Sequence, residues 1–150
     1  MVDAITTYHL VLGQDLNHHG TLFAGRAAEW FIEAGYLSAT SILKSNALVC
    51  QEVQEFCFRK PVPAGETISF TASVVYAGLT SLVSYINAII PSSQELILEG
   101  YIRFVFVDKN GKAQPHGLQI HADTEREKLL QNKAASLEQV PARYRQGIMT

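Results

Sequence analysis

The chain has 150 residues, 47% hydrophobic and 17% charged, with formal net charge −2, ten glycines, five prolines and two cysteines. At this length roughly 70% of the unfolded surface can be buried, so a single domain needs neither a disulfide nor a metal to hold its core together. Twelve Lys and Arg against fourteen Asp and Glu give no electrostatic footprint for nucleic acid, no apolar run approaches the ~18 residues of a membrane span, and Met1-Val2-Asp3-Ala4 lacks the basic start of a secretory leader, so a cytoplasmic location is expected.

In chain order, Ile5 to Leu12 is rich in β-formers and closes at Gly13, which predicts a strand. The polar loop Gln14-Asp15-Leu16-Asn17-His18-His19-Gly20 follows. From Thr21 to about Leu43 nearly every residue favours a helix and none is proline, with Thr21 or Asn17 as the expected cap. That helix is apolar around most of its circumference, through Leu22, Phe23, Ala27, Ala28, Trp30, Phe31, Ile32, Ala34, Tyr36, Leu37, Ala39 and Ile42, as a helix buried by its surroundings reads. At about 100° per residue, Arg26 and Glu33 fall nearly two full turns apart and Glu29 about 40° from Glu33, so one narrow polar stripe runs along it.

Extended segments then follow at Ala47–Phe58, Thr67–Ala77, Thr80–Ile90 and Glu95–Val107, separated by the turns Pro61-Val62-Pro63-Ala64-Gly65-Glu66, Gly78-Leu79 and Pro91-Ser92-Ser93 and ended by Asp108-Lys109-Asn110-Gly111. Four consecutive long strands predict an antiparallel meander. With the first strand added, the fold class is α+β, one sheet of five or six strands curled around one long helix. The charged stretch from Asp123 to about Leu137 reads as a solvated terminal helix, and Pro141-Ala142-Arg143-Tyr144-Arg145-Gln146 as a basic tail, so the expected division is 1–122 for the domain and 123–150 for a helix and tail packed on it or extending from it. Cys50 and Cys57 share one strand at odd spacing, which sends them to opposite faces as reduced thiols. No His-x-x-x-His or Cys-x-x-Cys spacing occurs, and no metal site is expected.

Three stretches carry a family likeness. Asp15-Leu16-Asn17-His18-His19-Gly20-Thr21-Leu22-Phe23-Ala24-Gly25 is similar to the loop and helix start of the acyl-CoA thioesterase branch of the hotdog fold. Phe58-Arg59-Lys60-Pro61-Val62-Pro63-Ala64-Gly65-Glu66 resembles the branch's "F-x-x-P-V-x-x-G-D/E" turn. Tyr101 to Lys112 resembles its penultimate strand and hairpin, and Gly78-Leu79-Thr80-Ser81-Leu82 is a fainter echo of a Gly-x-Thr/Ser-Ser turn. The likeness spans roughly residues 5 to 120.

The resemblance implies hydrolysis of an acyl-CoA thioester. Backbone N–H groups from Gly20 to Gly25, at the positive end of the helix, would hold the carbonyl. Asn17 matches the position that orients water or carbonyl. The general base is a carboxylate on the helix; several branches carry it at the position of Ile32, so Glu33 next to it, on the polar stripe, is the first choice and Glu29 the second. His19 is expected to assist. His18, Gly20, Thr21, Phe23 and Gly25 are expected to contact substrate, with Arg59, Lys60, Gly78, Thr80 and Ser81 toward the phosphates of coenzyme A, and Arg143 and Arg145 as further cations. His9, His116 and His121 are read as structural or surface residues. No cofactor is implied beyond the coenzyme A carried by substrate and product. The family's habit of pairing protomers edge to edge, the loop of one meeting the helix of another, implies a homodimer assembling into a tetramer or hexamer, with no nucleic-acid or membrane partner.

Two other readings compete. A dehydratase of 3-hydroxyacyl thioesters would share Phe23-Ala24-Gly25 with Glu29 but needs a His and a Pro in that segment, which are missing. A non-catalytic acyl-CoA sensor would normally bring a helix-turn-helix, for which the chain offers no segment.

Overall fold

The computed structural model describes residues 3–138. Strand β1 (Ile5–Leu10) leads through a short 3₁₀ turn (Gly13–Asp15) to helix α1 (Ala24–Leu43). Strands β2 (Leu48–Phe58), β3 (Thr67–Ala77), β4 (Ser81–Ile90) and β5 (Glu95–Phe106) follow, and helix α2 (Glu125–Leu137) comes last. Every strand and both helices lie where hydrophobic period and turn residues place them, to within three residues.

The strands form one five-stranded antiparallel sheet in the order β1-β3-β4-β5-β2. Only β3-β4-β5 is a meander; β2 pairs with β5 and not with β3, so the expected run of four neighbouring strands is corrected. The reason lies in residues 59–66. Leu22 N–H donates to Val62 O (2.7 Å), Gly65 N–H to Val11 O (2.8 Å) and Val11 N–H to Glu66 O (2.9 Å). Thr21 also bridges Pro63, and Val62 is fully buried. This proline-containing segment therefore crosses the end of the sheet beneath the α1 loop instead of reversing as a tight hairpin, and it delivers β3 beside β1.

Helix α1 lies over β3 and β4. Its buried Ala27, Phe31, Ala34 and Ala39 join Ile68, Phe70, Leu82, Ile86, Ile102 and Phe104 in the main core. The two buried hydroxyls between helix and sheet satisfy each other: Ser38 Oγ and Ser84 Oγ are 2.8 Å apart, and Ser38 Oγ donates to Gly35 O (2.7 Å).

Helix α2 is not simply solvated. Thr124 caps it, accepting from Glu127 N–H (3.1 Å). Leu130, Ala134 and Leu137 pack on Val75, Val83, Tyr85 and Tyr101 on the face of the sheet away from α1. Strand β4 is therefore covered on both sides, which explains why Ser81 through Ile86 are all buried. Cys50 and Cys57 are free thiols, and both are exposed. Bulges between Cys50 and Glu52 and between Gln54 and Cys57 break the strict alternation that put them on opposite faces. The tail with Arg143 and Arg145 lies outside the described residues.

Candidate active site

The loop before α1 is built by Asn17. Its Oδ1 accepts from His19 N–H (2.8 Å) and Thr21 N–H (3.2 Å), and its Nδ2 donates to Thr21 Oγ1 (3.2 Å). Asn17 N–H donates to Thr21 O (2.7 Å), and Gly20, at φ +79°, closes the turn in a conformation that side chains rarely adopt. Leu16 and Leu22 then bridge across the loop.

These bonds hold Thr21 and Leu22 extended, so α1 starts at Ala24 and not at Thr21. Its N-cap is Phe23, which makes no side-chain cap hydrogen bond, and neither Thr21 nor Asn17 caps the helix as expected. The first-turn N–H groups of Ala24, Gly25 and Arg26 are left without a capping side chain, at the positive end of a 20-residue helix. Phe23, 55% exposed, lays its ring over Gly25, where an added Cβ would come within 2.5 Å of Phe23 Cε1.

A cleft of about 270 Å³ opens beside this helix start, lined by Asn17, Thr21, Leu22, Ala24, Phe58, Arg59, Lys60 and Pro61. It joins the loop, the helix start and the end of β2. Four predicted site residues meet there: Asn17, Thr21, Arg59 and Lys60. Sequence reasoning missed the apolar wall of Leu22, Ala24, Phe58 and Pro61. It also missed Asp15, a buried carboxylate that accepts from Leu12 N–H (2.9 Å) and pairs with Arg26 Nε (3.2 Å), tying the loop to the helix. A lone Asp in a polar loop gives no signal of burial.

The basic turn carries less free charge than its sequence suggests. Arg59 pairs with Glu99 (2.5 Å) and Lys60 with Glu95. Glu99 is held below the usual carboxylate range first by the Tyr85 hydroxyl, at 2.5 Å, then by Arg59. Lys60 lowers Glu95 in the same way, and Glu99 keeps the exposed Arg59 firmly protonated. Two cations thus face two anions, and an incoming phosphate has to compete with Glu95 and Glu99.

The remaining predicted residues are not gathered at this cleft within one chain. His18 and His19 are exposed and, instead of pointing apart, bring their rings to 3.9 Å. Glu29 and Glu33 are exposed on the side of α1 turned away from Ala24: at about 100° per residue Glu33 stands about 180° from it. Glu29 is held by Arg26 at 3.0 Å, whereas Glu33 makes no ion pair among the described residues. The acidic stripe is therefore the solvated side of the helix in a single chain, and not the lining of a buried one.

Gly78, Thr80 and Ser81 sit at the far end of the sheet. There Ser81 Oγ donates to Glu138 (3.1 Å), Arg103 pairs with the same carboxylate (2.6 Å), and His116 Nε2 lies 2.9 Å from Ser81 O. Among the described residues, no group of three His, Cys, Asp or Glu could hold a metal, and no helix is long and apolar enough to cross a membrane.

A five-stranded antiparallel sheet carrying one long helix, with uncapped N–H groups at the helix start, is the hotdog architecture. The chain belongs to the thioesterase superfamily, whose match runs over residues 19–96, from the last two residues of the loop through α1, β2, β3 and β4, and it is a thioester hydrolase. It is 26% identical over 124 residues to a Bacillus subtilis (strain 168) protein, the uncharacterized acyl-CoA thioester hydrolase YkhA, covering 80% of this chain and 71% of that one. Among solved structures, an apo hexameric acyl-CoA thioesterase shares 28% identity at a TM-score of 0.79, covering 90% and 88% of the two chains. An acyl-CoA hydrolase from Staphylococcus aureus, in complex with butyryl coenzyme A, coenzyme A and coenzyme A disulfide, shares 26% at a TM-score of 0.82, covering 93% and 85%.

Proposed function

We propose that this enzyme hydrolyses acyl-CoA thioesters to the free acid and coenzyme A, with the thioester seated in the cleft at the start of α1. The observation that carries this reading is an uncapped helix N-terminus opening onto a cleft that is polar on one side, at Asn17 and Thr21, and apolar on the other, at Leu22, Ala24 and Phe58.

The carbonyl oxygen is held by first-turn N–H groups of α1, whose dipole favours the charge that develops there. Asn17 spends its oxygen on the loop and retains an amide hydrogen for water or carbonyl. A water attacks the carbonyl carbon while Glu33 takes its proton. The tetrahedral oxyanion then collapses, the C–S bond breaks, and the proton returns to the leaving thiolate.

Glu33 faces away from its own cleft, so the base is supplied by a second protomer of a homo-oligomer. Glu33 is preferred to Glu29 because it is not engaged by Arg26. The same assembly brings the Gly78–Ser81 end of one sheet toward the Arg59–Lys60 end of another. His18 and His19, at the exposed loop tip, face the same incoming coenzyme A.

Thiol release from butyryl-CoA tests the assignment. Glu33→Gln is expected to lower kcat by roughly 10²–10⁴. Asn17→Asp keeps the loop's acceptor but loses the amide donor, so it is expected to lower kcat while the melting temperature holds, whereas Asn17→Ala lowers both. Wild-type rates in Glu33→Gln and Asn17→Asp would overturn the assignment. Enoyl-CoA formed from a 3-hydroxyacyl-CoA without thiol release would overturn the hydrolase reading in favour of dehydration.

A further inference from the structure

Helix α2 and the sheet enclose a second cavity, of about 330 Å³, on the face away from α1. Its floor is aromatic. Tyr85 on β4 and Tyr101 on β5 are both buried, with ring centroids 5.2 Å apart, and Leu130 on α2 packs over them. At the rim Lys133 pairs with Glu55 (3.2 Å), which sits in an irregular stretch of β2 at φ +57°. Arg59 stands in the wall of this cavity and also in the wall of the cleft at the start of α1, so the two spaces meet at that side chain.

Two polar groups in this cavity have bonding capacity to spare. Tyr101 lines it at 7% exposure, and its hydroxyl has no hydrogen-bond partner among the described residues. Burial, with Glu99 and Glu55 adding to it, pushes that hydroxyl up to about 12, so it keeps its proton and both donates and accepts. Glu99 accepts from Tyr85 with one carboxylate oxygen and from Arg59 with the other, each at 2.5 Å, and each oxygen retains a second lone pair. The carboxylates of Glu55 and Glu99 are answered by Lys133 and Arg59, so a bare anion gains little here. A neutral planar ring gains the faces of the two tyrosines. An amino group on that ring donates to Glu99, and a neighbouring ring nitrogen accepts from Tyr101, the pattern of an amino-substituted purine in a space at the lower end of small-molecule pockets. Arg126, on the first turn of α2, acts on Tyr85, Glu99 and Tyr101 through its charge and makes no ion pair among the described residues, which leaves a cation for a phosphate beside the ring.

We propose that this cavity seats an adenine ring, and that the ring is the nucleotide end of the coenzyme A thioester whose acyl end lies in the cleft, with the substrate passing Arg59 between the two. This rests on the acyl-CoA reading of the cleft and adds where the nucleotide is held. Tyr101 is then a binding residue that acts through KM and takes no part in the chemistry.

The test compares butyryl-CoA with butyryl-pantetheine, which lacks the nucleotide, in wild type and in Tyr101→Phe, which removes the hydroxyl and keeps the ring. Wild type should prefer butyryl-CoA in kcat/KM, and Tyr101→Phe should cut that preference by about fivefold, the scale of one hydrogen bond, through KM for the CoA ester. AMP should compete with butyryl-CoA, and IMP, with a carbonyl in place of the amino group, should compete about tenfold less well or worse. Peptide mass spectrometry after brief treatment with N-ethylmaleimide gives a readout that needs no turnover: AMP should slow alkylation of Cys57, an exposed thiol in the cavity wall, relative to Cys50, an exposed thiol outside it. AMP and IMP competing equally, or Cys57 alkylated at the same rate with and without AMP, would overturn the adenine site while leaving the hydrolase standing. An unchanged ester preference in Tyr101→Phe would overturn the link to the substrate, and protection of Cys57 by AMP would then assign the site to a free nucleotide. Absence of thiol release from both esters would overturn the acyl-CoA reading and that link with it, while Cys57 protection still decides the ring.

Discussion

His9 stacks on Trp30, ring to ring at 4.3 Å and nearly parallel, with the edge of Phe70 at 5.9 Å, and its Nε2 is buried without a partner. Burial pushes its pKa below the ordinary 6.5, and the nearby carboxylates of Glu33 and Asp15 only partly oppose that shift. The folded protein therefore resists protonation of His9 more than the unfolded chain, which takes up a proton as the pH falls through about 6.5. The stability tied to this group is complete above that value and is lost progressively below it, down to the folded-state pKa. His9→Phe keeps the aromatic stack and removes the titration. Thermal melts between pH 5 and 7.5 should show a smaller drop on the acid side for this variant than for wild type; equal drops would remove His9 from the account. In the sequence His9 is one polar residue of a short strand, and nothing marks it as facing Trp30, because that contact depends on how β1 docks against α1. Asn17 was singled out by the family resemblance, while the residues themselves suggested only a helix cap, which the structure replaces by a loop turn whose bonds lie within four residues.

At the scale of elements, strands with turn residues at both ends were legible because period and punctuation are local signals. The neighbour of β2 was not, because it depends on where the 59–66 segment crosses, and that is set by Leu22, Val62 and Val11 from distant parts of the chain. Helix α2 shows a third case, since the signal was present but weak. Leu130, Ala134 and Leu137 recur at i, i+4 and i+7, the spacing of one buried face, among charges that dominate the composition. The face is narrow, but Ala134 is fully buried against the sheet, and Gln54 donates to Leu137 O (3.3 Å). Ala134→Lys places a charge into this contact with Val75 and Val83, where no partner can follow it. The expected loss is about 2 kcal/mol or more, seen as a melting temperature lower by roughly 4–8 °C. Limited proteolysis should at the same time cut faster in the stretch before α2, residues 114–124. A variant that melts and resists protease like wild type would show that this helix contributes little to the fold.

Among the described residues the sheet has two open edges, β1 and β2, and open edges in folded proteins are commonly covered, charged or paired. Strand β2 is the longer, at 11 residues, and shows Val49 and Val53 to solvent, each 40% exposed. We propose that β2 pairs antiparallel with its copy about a two-fold axis near Val53, an arrangement that would extend the sheet through both protomers. It sets the Phe58 end of one β2, which lines the cleft, against the Leu48 end of the other. In each protomer the Leu48 end runs beside Phe106 on β5, whose own neighbourhood on β4 begins at Ser81. The binding residues that one chain keeps at opposite ends of its sheet are thereby drawn toward one another between two chains. Val53→Lys adds a charge at the centre of this edge without touching either core, since Val53 belongs to neither buried cluster. Light scattering on the eluting protein should show a smaller assembly than wild type, with a cooperative melt retained and thiol release from butyryl-CoA reduced in step with dissociation. An assembly of unchanged mass would move the interface to the β1 edge, where Tyr8 and Leu10 are the exposed apolar residues. A smaller assembly with full activity would mean that each cleft is complete within one chain, and the base would then have to come from a residue other than Glu33.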